Sequence, residues 1–470
     1  AYEALPKALR AELHERFAAW MGEHGADLIE LDEVLGYHLE RAYRYRVELG
    51  PAGPDAEALA HRAAERLAGA GRRAVTRGDL RAAESLLGRA EGLFAPDDPK
   101  RLELLPMLGR TLQDTGDWAG ARRVLRDALD RAAAAGDRRT EAEAAVALAH
   151  LEMFTDVLGS HDEVRDRLAG PLRVFEELGD EAGLARTLGL AGQLWFWAGH
   201  AADAIVDLER AAGHARRAGD REQESSSLGY VLIAAVHGPT PVDEAVALCE
   251  QMPVRIPGDP RIRVAALRCR INLQAMAGRF DIARRLAAEA KAMVEELGLE
   301  LTGASVRLEA GHVEVYAGDY EAAERELRPG LELLEQIGNH GHWVTAAMVL
   351  AEALLQLERS EEAEAIADRA REWAMEDDID PQIGWRRIKA RVVARRGELE
   401  DAERLAREAV EIADRTDYLE NRGLARAALA EVLERAERAG EARAELERAL
   451  AIYERKGLRV LADKLRARLA

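Results

Sequence analysis

Three arginines, Arg387, Arg391 and Arg395, recur at four-residue spacing and so share one stripe of a helix. Few acids stand beside them, so the stripe can hold an anionic group or pair with acidic residues of an adjacent helix. His340 and His342 flank a glycine directly after a turn, as a ligand pair or as solvated turn histidines. The chain has no His-Glu-x-x-His and no Cys-x-x-Cys, so no metal site is expected. Cys249 and Cys269 fall in successive hairpins of the pattern described below, as small buried apolar residues or as a redox pair. Phosphate binding by a Gly-x-x-x-x-Gly-Lys loop needs a Gly-Lys pair, and none occurs. Gly-x-Ser-x-Gly is absent too, and adjacent carboxylates such as Glu361 and Glu362 mean little in so acidic a chain. Neither an active site nor a cofactor is expected.

What must position these residues is a long helical chain. Of 470 residues 48% are hydrophobic, yet aromatics supply only 5% and charged residues 32%. Alanine, leucine, glutamate and arginine lose little rotamer freedom in a helix, so almost wholly helical structure follows. The net charge of -20 argues against a nucleic-acid surface, which needs a basic footprint. Two cysteines make no disulfide framework, which points to a reducing cytoplasm. No secretory signal opens the chain, and its longest apolar run, Val231 to Val236, is far short of the about 20 residues a membrane span needs. The sequence starts without methionine inside a helical pattern, as a fragment of a larger protein would.

Self-similarity sets the architecture. Turns carrying Gly-Asp or a variant recur about every forty residues, at Gly78, Gly116, Gly159, Gly199, Gly238, Gly278, Gly318, Glu358, Gly397 and Glu437. A second family lies between them, at Gly136, Gly179, Gly219, Gly258, Gly298, Gly338 and Gly457. Glycine supplies the positive φ that ends a helix, and aspartate caps the next. Small residues hold fixed places on both helices, as at Gly71, Gly109, Gly192 and Gly311 before the turn and Ala83, Ala121, Ala204 and Ala283 after it. They let paired backbones approach closely, so a bulky residue at Ala204 should cost roughly 1–3 kcal/mol.

These small-residue positions resemble those of tetratricopeptide repeats, with a period near 40 residues in place of the usual 34 or so. The resemblance implies an all-α, right-handed superhelical solenoid of about ten helical hairpins. It divides the chain into a helical linker (1–54), the solenoid (55–440) and C-terminal capping helices (441–470). It also implies that the first helix of each hairpin lines a concave groove. Reading the inward positions gives His150, Met153, Phe154, Gln193, Phe196, Trp197, Tyr230, Asn272, Met276, His312 and Tyr316. Aromatic, methionine and amide groups stand there where a solvated face would carry charge; they either line a ligand groove or fill space between the long helices.

The N-terminal stretch has another character. Leu9, Leu13, Phe17 and Trp20 form one apolar helical face, and Leu35, Leu39, Ala42 and Tyr43 another. The segment Leu5-Pro6 running into His14-Glu15-Arg16-Phe17, followed by Gly36-Tyr37-His38-Leu39-Glu40-Arg41-Ala42-Tyr43-Arg44-Tyr45, resembles the link after the ATPase module of bacterial AAA or STAND-type signalling proteins. Many of those carry a class III adenylate or guanylate cyclase domain, others a transcription-factor domain. The specific similarity covers residues 1 to about 135. It implies a non-catalytic sensor arm that binds a peptide, protein or small ligand in the groove and controls an upstream ATPase or effector domain, with no nucleic acid or membrane as partner. The alternative is a stand-alone scaffold that assembles protein partners through its acidic outer surface.

Overall fold

The computed structural model describes residues 5–51, 53–153, 161–296 and 300–470, which are helical throughout apart from turns. In chain order the helices are α1 (Lys7–His24), α2 (Leu31–Leu49), α3 (Pro54–Arg77), α4 (Leu80–Leu93), α5 (Pro99–Asp114), α6 (Trp118–Ala135), α7 (Arg138–Met153), α8 (His161–Arg167) and α9 (Ala169–Leu178). There follow α10 (Glu181–Trp197), α11 (Ala201–Ala218), α12 (Arg221–His237), α13 (Val242–Arg255), α14 (Pro260–Met276), α15 (Phe280–Glu296), α16 (Glu300–Ala317) and α17 (Tyr320–Gln336). The chain ends with α18 (His340–Gln356), α19 (Ser360–Trp373), α20 (Ile379–Arg395), α21 (Leu399–Asp414), α22 (Leu419–Arg435), α23 (Ala439–Lys456) and α24 (Arg459–Leu469). Two compact units emerge, one of Ala1–Leu158 with Arg167–Asp180, the other of Gly159–Asp166 with Glu181–Ala470.

The turn chemistry works as the repeat requires. At Gly78, φ is 76°, its N–H bonds Val75 O at 2.9 Å and the next N–H, of Asp79, bonds Ala74 O at 3.0 Å. The Asp79 carboxylate then accepts from Ala82 N at 3.1 Å and starts α4. Asp117, Asp220 and Asp319 cap their helices in the same way. At the two glutamate variants the backbone is still left-handed, with φ 61° at Glu358 and 58° at Glu437. A side chain there costs conformational energy that glycine avoids. Glu358→Gly is therefore expected to raise stability by about 1 kcal/mol in denaturant unfolding; a loss of stability would contradict the strain. Gly238 departs from the pattern, with φ -78° and extended backbone, because the residues after it form a longer, proline-containing turn. Gly159 and Gly298 lie outside the described residues.

Small residues sit where two helices touch. A Cβ on Gly109 would lie 2.4 Å from Leu125, and on Gly192 2.6 Å from Leu208. Ala83, Ala121, Ala204 and Ala283 are fully buried at the same contacts. In the first unit α1 departs from the sequence reading. It buries Ala11, His14 and Ala18, while Leu9, Leu13, Phe17 and Trp20 are exposed, Trp20 at 52%. Close packing on α2 selects the small residues of that helix and leaves its large apolar side chains outside.

Candidate ligand-binding site

In the second unit the first helix of each hairpin (α10, α12, α14, α16, α18, α20 and α22) faces one cavity of about 520 Å³, to which α24 adds Leu461 and Lys464. Aromatic rings crowd one side. Phe196 lies 5.7 Å from Trp197, 6.3 Å from Tyr230, 5.7 Å from His237 and 5.6 Å from Tyr418, centroid to centroid. Phe196 and Trp197 come from the last turn of α10, Tyr230 and His237 from α12, and Tyr418 is the residue that opens α22.

The cavity is partly enclosed because the unit closes on itself. The turn before α11 reads Gly199-His200, and His200 gives α11 no side-chain cap. The cap comes from far along the chain: the Asp417 carboxylate accepts from Ala201 N and Ala202 N, both at 2.8 Å. Asp417 N donates to Gly199 O at 3.0 Å, and the Tyr418 hydroxyl donates to Phe196 O. Further along the same seam the fully buried Lys456 amine donates to Ala235 O, Gly238 O and Thr240 O at 2.8, 2.7 and 2.6 Å. Arg459 pairs with Asp243 at 3.1 Å. Ala201 and Asp417, Thr240 and Lys456, and Asp243 and Arg459 are each 216 residues apart. At a repeat near forty residues, one turn of this solenoid takes about five and a half repeats.

Charge on the wall is mostly answered within the wall. Arg268 pairs with Glu309 at 2.8 Å. Glu352 receives both Arg387 and Arg391, and Arg391 also reaches Glu431 at 2.7 Å. Burial pulls the Glu352 carboxyl upward, but Arg391 and Arg387 override it and hold the group well below the usual carboxylate range. The Tyr316 hydroxyl donates to Glu420 at 2.6 Å, and burial, with that carboxylate, keeps it protonated. Three polar atoms of cavity residues, Trp197 Nε1, Asn272 Oδ1 and Glu309 Oε2, are buried and have no hydrogen-bond partner among the described residues. Buried polar groups are normally satisfied, so a bound molecule or ordered water has natural places to engage.

Of the residues singled out from sequence, Phe196, Trp197, Tyr230, Asn272, His312, Tyr316 and Arg387 line this cavity. Gln193 and Met276 are buried but do not line it. His150 and Met153 belong to the first unit. There Gln113 Nε2 donates to His150 Nδ1 at 2.9 Å, and burial, with Arg110 nearby, holds the ring down to about 4. Phe154 lies outside the described residues. Arg391 and Arg395 are off the cavity, and the stripe is engaged by protein groups: Arg395 donates to Leu355 O at 2.9 Å. His340 stacks on Trp373 at 4.0 Å, and His342 lines the cavity. Among the described residues no group of three or more His, Cys, Asp or Glu is placed to hold a metal ion, and no helix is long and apolar enough to cross a membrane.

Sequence reasoning missed several lining residues: Glu352, Asp378, Asp380, Tyr418, Glu420 and Asn421. Most of these open helices α20 and α22, whereas the positions read from sequence lie before each first turn. The readable signal was His200 in place of a capping acid, which leaves α11 needing a cap from elsewhere.

No protein-family model matches the chain, and no curated protein sequence matches it. Among solved structures it is similar to a Rap protein complexed with competence and sporulation factor, at 15% identity, over 85% of this chain and 98% of that one, with a TM-score of 0.57. Yeast Tom70 aligns over 97% of this chain and 96% of its own at 14% identity, with a TM-score of 0.41. NprR in complex with its cognate peptide NprX aligns over 57% and 79% at 12% identity, also with a TM-score of 0.41. At 15% identity the likeness to the Rap protein is one of fold. With helical hairpins, glycine turns and small-residue contacts recurring along the chain, this is an all-α, tetratricopeptide-like repeat solenoid.

Proposed function

We propose that the chain is a non-catalytic sensor arm whose second unit binds a small ligand or a short peptide in its cavity. The observation that carries this reading is the cavity itself. Its volume of about 520 Å³ lies within the range of small-molecule sites, roughly 300–1,000 Å³. An aromatic wall with a few oriented polar groups is the composition such sites use. A solenoid packed only for stability would fill that space, since interiors are close-packed. The Rap protein of the same fold was solved complexed with competence and sporulation factor, which supports a ligand-binding role.

The resemblance of residues 1 to about 135 to the link after an ATPase module supports placing this arm in a multidomain bacterial signalling ATPase or cyclase. Ligand held in the cavity would then bias the nucleotide switch upstream. Binding should raise the melting temperature by mass action. A thermal-shift screen of peptides and metabolites, followed by calorimetry, is expected to give a ligand whose affinity falls at least about tenfold in Trp197→Ala and in Tyr316→Phe. Circular dichroism should show helicity intact in both. Unchanged affinity in both variants would remove the cavity from the binding site.

A further inference from the structure

We propose that Cys249 and Cys269 are a reversible disulfide pair, oxidised by a small hydroperoxide that enters through the cavity. They are the chain's two cysteines, both free and both buried. Cys249 comes from α13 and Cys269 from α14, the two helices of one hairpin joined by the turn at 256–259. That hairpin brings the side chains together: the Cys269 thiol is in hydrogen-bonding contact with the Cys249 thiol. Both sit in one continuous core, where close packing keeps them facing each other.

Access separates the two. Cys249 has no exposed surface, whereas Cys269 is 5% exposed and lines the cavity with Arg268 and Asn272 of the same helix. An oxidant small enough to enter the cavity therefore meets Cys269 first. The Cys269 thiolate attacks one peroxide oxygen: an S–O bond forms and the O–O bond breaks. The leaving alkoxide or hydroxide takes up the thiol proton and departs as an alcohol or water. The Cys249 sulfur then attacks Cys269, the S–S bond forms, the S–O bond breaks, and hydroxide leaves with the Cys249 proton as water. Two thiols have given up two electrons, and the peroxide has taken them. Because the sulfurs are already in contact, this second step is intramolecular and outruns a second oxidation of Cys269.

The surroundings set the pace. Contact with Cys249 and burial push the Cys269 thiol well above its usual range; Glu309 adds to this and Arg268 opposes it. The thiolate is the reacting form, so the pair oxidises slowly. A bulky disulfide would have to align its own sulfurs with one that is almost wholly covered, so exchange with it is slower still. The cavity serves here only as an entrance, and the assignment holds whether or not a ligand also binds there.

The test treats the folded full chain with hydrogen peroxide or with oxidised glutathione. Free thiols are then counted after unfolding in urea, and peptide masses are read from a proteolytic digest. Hydrogen peroxide is expected to remove both thiols together and to join the peptides carrying Cys249 and Cys269 with the loss of two hydrogens. Dithiothreitol should restore both. Oxidised glutathione is expected to react at least about tenfold more slowly. In Cys249→Ala, peroxide should instead add oxygens to Cys269 that dithiothreitol does not remove. If that variant does not fold, the digest of the unsubstituted chain decides alone. Thiols that survive peroxide in the folded chain while oxidising in the urea-unfolded one would overturn the pair. So would oxygens added to Cys269 without the link, or a link between two chains. Oxidised glutathione reacting as fast as peroxide would overturn entry through the cavity.

Discussion

Lys456→Met is expected to lower stability by about 3 kcal/mol and to open the seam before the rest of the unit unfolds. The amine is fully buried and is the common donor to three carbonyls, one at the end of α12 and two in the turn after it. Hydrogen bonds from a charged donor contribute about 1.5–3 kcal/mol each, and the cost of burying the ammonium offsets part of that sum. Methionine matches the stem but leaves all three carbonyls unpaired. Burial holds the Lys456 pKa down to about 8, from 10.5. Between those values the unfolded chain binds more protons than the folded one, so this group adds stability as pH rises from about 8 to about 10.5. The methionine variant should lack that rise. Hydrogen exchange is the sharper measurement: amides at 235–243 and 456–460 should lose protection first. An even loss across all helices would show that the seam is not a separate unit of stability.

That seam changes what kind of solenoid this is. In a one-dimensional repeat array each hairpin touches only its neighbours, and stability is a sum of neighbour contacts. Contacts across 216 residues add a closure on top of that sum and turn an open groove into a cavity. The closing groups (Asp417, Tyr418, Lys456 and Arg459) all fall in or beside turns, where the repeat tolerates variation.

The same fact explains which parts were legible in the sequence. Turn glycines, capping aspartates and the small residues at Gly109, Gly192 and Ala204 are local requirements, so each repeat states them again. The groove-facing side chains on α10, α12, α14 and α16 follow from the same register, which is why Phe196, Trp197, Tyr230, Asn272, His312 and Tyr316 could be named. Where one superhelical turn ends is not local. It depends on small rotations summed over several hairpins, and no residue type reports that sum. Asp378, Asp380 and Glu420 therefore carry no signal of their own in the sequence. The α1 face misled for a different reason: periodicity marks an apolar stripe, but close helix packing chose Ala11 and Ala18 instead.

Glu352→Gln is expected to cost about 3 kcal/mol, because it breaks a buried ion cluster from its centre. Arg387 and Arg391 are 9% and 8% exposed at their side chains, and Glu352 is 18%. After the substitution Arg391 keeps Glu431, but Arg387 is left with an amide where a carboxylate stood. The acid dependence follows from the direction of the shift. Glu352 has a folded pKa below its ordinary value of 4.5, so its contribution is complete above that value and is lost only as pH falls toward the folded one. The stability gap between wild type and Glu352→Gln should thus be flat from pH 7 to about 5 and narrow below about 4.5. Urea unfolding across that range measures it. A gap that closes already above pH 5 would mean the arginines do not hold the carboxylate charged. Because Glu352 also faces the cavity, the cluster has a second consequence. It fixes α18 and α20 against each other along one wall and leaves the Arg387 charge internally balanced.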